Sequence, residues 1–158
     1  AARHLLATSP STLEHMKEAR LFFEVGIVRM ATEKASTTDL RRLEERLEEQ
    51  RHAARQVTAP SRMDEFLQKD MAFHGEIAAI TGNAIYVALS RAIFEWLAEF
   101  HAGLVRLHGA ETLTLQEHEA ILERMQARDV EGAAAAMTRH IMRANSLYRQ
   151  FEREAGSL

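Results

Sequence analysis

What most constrains this chain is how rarely it is interrupted. Only two prolines and seven glycines occur in 158 residues, set among abundant Ala, Leu, Glu and Arg. Proline and glycine are the residues a helix tolerates least, and those four are among its best formers. The composition therefore predicts an all-α chain. At this length it makes one domain with a substantial core, spanning residues 1–158.

Punctuation and apolar spacing divide the chain into six helices. Ser9-Pro10-Ser11-Thr12 signals a first start, with the helix running from about Leu13 to Ala35 and Leu13, Met16, Phe23, Ile27 and Met30 on one face. Ser36-Thr37-Thr38-Asp39 caps a second helix, to about Gln56, whose narrow stripe of Leu40, Leu43, Leu47 and Ala54 predicts one buried seam. A loop at Val57–Ser61 leads into a third helix, from about Arg62 to Thr81. Thr81-Gly82-Asn83 stops it and restarts a fourth, from about Ala84 to Leu107. This helix is the most apolar and is expected at the centre of the bundle. His108-Gly109 ends it. A fifth helix runs from near Glu111 to Arg128, and Asp129 caps a sixth, from Val130 to about Arg153.

Four polar residues fall in the apolar registers of these helices. Asp70 and His74 are four apart on the third, which places them on one face roughly 6 Å apart at Cβ. His118 lies in register with Leu115, Ile121 and Leu122, and His140 with Met137 and Ile141. A buried carboxylate is costly unless paired or bound to a metal. If the three helices converge, one carboxylate and three imidazoles can meet around a divalent ion. With no cysteine in the chain, any such ion is held by nitrogen and oxygen. That donor set suits zinc, nickel, iron or manganese, with zinc the first expectation. The remaining histidines, His4, His15, His52, His101 and His108, lie mostly near ends or on polar faces.

Other chemistry is sparse. No Ser/His/Asp triad or Gly-rich phosphate loop is evident. Glu119, next to His118, points roughly 100° away from it on a helix and makes a poor general base. Binding is thus favoured over catalysis. A formal net charge of −3 argues against a polyanion-binding surface. No apolar stretch approaches the ~20 residues that span a bilayer, and the first residues lack the pattern of a secretory signal. Together with the lack of cysteine, these features fit a cytoplasmic chain. On the first helix, Arg20 and Glu24 are four apart, the spacing of an ordinary surface ion pair.

Arg20-Leu-Phe-Phe-Glu24, Asp70-x-x-x-His74, Thr81-Gly82-Asn83, Glu117-His118-Glu119-Ala120-Ile121 and His140, in that order and spacing, resemble the FCD domain. This is the C-terminal effector-binding domain of FadR-type regulators in the GntR family. The resemblance covers about Leu13 to Phe151. It implies an antiparallel bundle of six or seven helices that forms a homodimer. It implies a metal at Asp70, His74, His118 and His140, and a small organic acid bound beside it. Arg20 would meet the acid's carboxylate, with Glu24 as its supporting partner. Such regulators reach DNA through an N-terminal winged-helix domain, which this sequence does not contain; the chain is either an excised effector domain, the first expectation, or a stand-alone relative. Two rival readings remain: a small metal-dependent hydrolase or isomerase on the same bundle, and a helical dimerisation module whose histidines only fill the core.

Overall fold

A computed structural model describes residues 10–56, 60–101 and 110–155, with side chains placed for 14–56, 64–97 and 111–146. These residues form six helices and no strand: α1 Pro10–Lys34, α2 Thr37–Arg55, α3 Pro60–Ile80, α4 Ala84–His101, α5 Ala110–Gln126 and α6 Val130–Ala155. Both prolines sit at the first position of a helix, where a missing N–H costs nothing. For that reason α1 and α3 begin two or three residues earlier than periodicity suggests. Residues 1–9 of the lead expected over 1–11, residues 57–59 of the expected loop, and residues 102–109, including the expected end of the fourth helix, lie outside the described residues.

The turns work as their residues predict. Ser36 Oγ accepts the Asp39 backbone N–H at 3.1 Å while the Asp39 carboxylate accepts the Ser36 N–H at 2.8 Å, a reciprocal cap on α2. Gly82 adopts φ +74, the left-handed conformation that ends α3, and Asn83 Oδ1 caps α4 by accepting the Ile85 N–H at 3.0 Å. Asp129 Oδ1 accepts the Gly132 N–H at 2.9 Å and starts α6.

Helices α1, α2, α3, α5 and α6 enclose one core built from Val28, Ala31, Leu43, Phe73, Ile77, Ile121, Met125, Met137 and Ile141. Helix α1 runs antiparallel to α6: Arg29 pairs with Glu131, and Arg128 Nη1 donates to the Thr32 carbonyl at 3.1 Å. Helix α2 lies against α3 and α5 through the expected seam, although Gln50 and Ala53 occupy its lower half and Ala54 is only half-buried.

Helix α4 departs from expectation. It is not central; it packs chiefly on α3, at the flank. Ile85 is 66% exposed and Leu89 47%, with Val87 also exposed. Its last turns do bury Phe94, Trp96 and Leu97, which pack with Met16 of α1 and Met71 of α3. The apolar residues thus divide between an inner face near the C-terminal end and an uncovered outer face.

Candidate metal centre

Three histidines from three helices meet in the core. His74 of α3, His118 of α5 and His140 of α6 are all buried. One ring nitrogen from each lies within 4.8 Å of the others, and the Nε2 atoms of His118 and His140 are 3.3 Å apart. Asp70, one turn before His74, is half-buried at the edge of the cluster, its Oδ1 3.6 Å from His118 Nε2. Phe73 stacks flat on the His118 ring, with centroids 4.2 Å apart, and Phe94 covers His74 at 5.0 Å.

Each imidazole is also held from behind. His74 Nδ1 is 3.0 Å from Glu24 Oε2, His118 Nδ1 is 2.8 Å from Gln50 Oε1, and His140 Nδ1 is 2.8 Å from Glu117 Oε2. Carboxylate and amide oxygens only accept, so in the neutral rings each Nδ1 carries the proton and each Nε2 presents a lone pair. Among the described residues His74 Nε2, though buried, has no hydrogen-bond partner. The lone pairs of His118 and His140 point at one another across 3.3 Å. Such a convergence of acceptors is unfavourable unless a cation shares it.

The electrostatics favour the neutral form of two of these rings, His118 and His140. Burial pushes His118 well below the usual histidine range, helped by the charges of His140, His74, Arg20 and Arg143. Burial also lowers His140, against the hydrogen bond it donates to Glu117, which opposes the shift. Neutral imidazole is the form a metal binds. Burial alone would raise Glu24, but the charge and hydrogen bond of His74, with Arg20, pull it down to about 2. Glu117 is likewise half-desolvated yet lowered by His140 and by Arg143, whose fork grips it at 2.6 and 2.7 Å.

Arg20, expected beside the site, is buried on α1 with Nε 3.5 Å from Glu24 Oε1 and its guanidinium 5.0 Å from the centre of the Phe94 ring. Glu24 was expected mainly as its partner; the structure also ties it to His74. Glu119 points outward, as its register requires, and pairs with Arg51 at 2.6 Å. His15 and His52 are exposed, whereas the side chains of His4, His101 and His108 lie outside the described ones. Two participants, Gln50 and Glu117, escaped the sequence reading. Gln50 left one signal, a polar residue continuing the Leu43–Leu47 seam by three. Glu117 stood only inside the Glu117–Ile121 motif, with nothing to mark its role, because its partners are on another helix.

The arrangement defines a class: a helical bundle with an inward-facing three-histidine, one-aspartate cluster and a buried arginine nearby. The chain belongs to the FCD domain family, whose pattern matches residues 15–143. It is 32% identical over 134 residues to the HTH-type transcriptional repressor NanR of Cronobacter sakazakii, covering 84% of this chain and 49% of that protein. It is 30% identical over 146 residues to NanR of Klebsiella aerogenes, covering 90% of this chain and 53% of that protein. The chain thus spans about half the length of the curated relatives it matches. Its fold is similar to those of E. coli McbR/YncC (TM-score 0.79, 18% identity, 90% of this chain and 67% of the other) and Streptococcus agalactiae GntR (TM-score 0.73, 21% identity, 90% and 63%).

Proposed function

We propose that this domain senses a small organic acid for a GntR/FadR-type transcription regulator, using a divalent metal held by Asp70, His74, His118 and His140. The observation that carries the reading is the convergence of three buried imidazoles, one nitrogen of each within 4.8 Å of the others, whose Nδ1 atoms are all held from behind. Metal-binding histidines are characteristically held in this way, by a carboxylate or carbonyl on the other nitrogen. The 3.3 Å between His118 Nε2 and His140 Nε2 also suits two nitrogens bound at about 2.05 Å in a tetrahedral site, which lie about 3.3 Å apart. Zinc fits that spacing; nickel, manganese and iron share the donor preference.

The acid would bind at the metal, with the Arg20 guanidinium, suited to a bidentate carboxylate contact, as its clamp. An enzyme is the weaker reading. Two of the carboxylates nearest the rings, Glu24 and Glu117, are occupied by histidine Nδ1 atoms, and Glu119 faces away. The relatives are HTH-type transcriptional repressors, which supports a regulator that reaches DNA through a separate N-terminal domain; we expect it to act as a homodimer. No described helix is long and apolar enough to cross a membrane.

Elemental analysis of untagged protein purified without chelator is expected to find about one divalent ion per chain. His74→Ala should lose it. A wild-type domain that neither retains nor takes up zinc, nickel, manganese or iron would overturn the metal reading and leave three core histidines.

A further inference from the structure

Gln50 is fully buried on α2, the one core helix that donates neither a candidate ligand nor a charged group to the cluster. Both ends of its amide are used, in opposite senses. Nε2 donates to Asp70 Oδ1 at 3.0 Å, and Oε1 accepts from His118 Nδ1 at 2.8 Å. The orientation of the amide is dictated by its partners. An ionised carboxylate can only accept, so the NH2 faces Asp70. The carbonyl oxygen then faces His118, and Nδ1 must carry the ring proton. Gln50 is also the only hydrogen-bond partner of Asp70 among the described residues. Neighbours on either side pin this stretch of α2 in place. Glu49 pairs with Lys69 of α3 at 3.0 Å, and Arg51 with Glu119 of α5 at 2.6 Å.

Asp70 needs such a hold. The three histidines are buried and each has its own partner behind it, whereas Asp70 is half-buried and reaches the cluster only at its edge. An aspartate in that position can turn to solvent at little cost. We propose that Gln50 is a positioning residue that sets the fourth ligand: one amide holds the Asp70 carboxylate toward the metal and fixes His118 in its ligating tautomer. On this view, what separates a three-nitrogen, one-oxygen site from a three-imidazole site with extra water lies on a helix that never touches the ion. The inference rests on the metal reading above.

The test is a cycle of Gln50→Met, Asp70→Ala and the double variant, in the untagged domain, with zinc affinity measured against a chromophoric chelator. Gln50→Met keeps the length and loses both hydrogen bonds. It is expected to weaken zinc binding by about 10- to 100-fold, as the loss of such a supporting partner does elsewhere. The double variant should lose markedly less than the product of the two separate losses, because both changes remove the same carboxylate. The visible spectrum of the cobalt(II)-loaded domain supplies a second readout, since it follows coordination number and donor set; Gln50→Met and Asp70→Ala should shift it alike. A merely structural role would lower the melting temperature and leave the spectrum unchanged. Nitrogen-15 NMR of the wild-type domain needs no variant at all: His118 should be protonated at Nδ1 before metal is added. Unchanged affinity and spectrum in Gln50→Met, or His118 protonated at Nε2, would overturn the inference while leaving the metal reading intact. A wild-type domain that binds no metal would overturn both.

Discussion

Acid should destabilise this domain through two buried histidines, His118 and His140, and the effect can be sized. Burial holds His118 well below the usual range and lowers His140 as well. In the unfolded chain both regain the ordinary value of about 6.5. As pH falls through that value the unfolded state takes up protons that the folded state refuses, so stability is lost with acid. For a ring that stays neutral in the fold, the drop from about pH 7 to about pH 5.5 costs roughly 1.2 kcal/mol. The total therefore lies between roughly 1.2 and 2.5 kcal/mol, depending on how far His140 follows His118. Glu24, at about 2 in the fold, adds almost nothing to the slope in this window, because in the unfolded chain too a glutamate is ionised above about pH 5.5. Urea titrations of the chelator-treated domain at the two pH values measure the difference directly. His118→Gln, which cannot titrate, should flatten the dependence. Zinc-loaded protein should show a steeper one, because protons then compete with the metal for every ligand. Identical urea midpoints at both pH values in metal-free wild type would refute the neutral-imidazole geometry.

Arg20→Ala should weaken binding of the cognate acid by about ten- to a hundredfold, the value of one charged hydrogen bond. Metal content should stay unchanged, with calorimetry on a hit from a thermal-shift screen of hydroxyacids and sugar acids as the measurement; normal binding would return Arg20 to the role of ion-pair partner for Glu24. Ser36→Ala removes half of the reciprocal cap on α2 and should cost about 1 kcal/mol in urea denaturation.

The helices and the inward histidines were legible because both depend on local period. Asp70, His74, His118 and His140 occupy the registers that apolar residues define, and the fold brings the three rings together. The place of α4 was not legible. A run such as Ile85, Val87, Leu89, Ile93, Phe94 and Trp96 shows that a helix carries much apolar area, but not which neighbour covers it. Here the second half found partners and the first half did not. Partner choice among polar groups was hidden for a similar reason. Glu24 has Arg20 one turn away in sequence, yet its shorter contact is to His74, fifty residues on. Gln50 reaches His118 across 68 residues. Such pairs are decided by how helices stack, and no local pattern encodes that.

The three converging rings come from positions 74, 118 and 140, and the groups behind them from 24, 50 and 117. This scatter has a consequence for a chain emerging from the ribosome. Until α6 has been made and has docked against α1 and α5, His140 is missing, and only two imidazoles can face each other. A nascent chain therefore has no complete cage, and an ion met early finds only weak, partial ligation. The three rings come together only once α6 has docked, so on the metal reading proposed above tight uptake would report that the described bundle is in place.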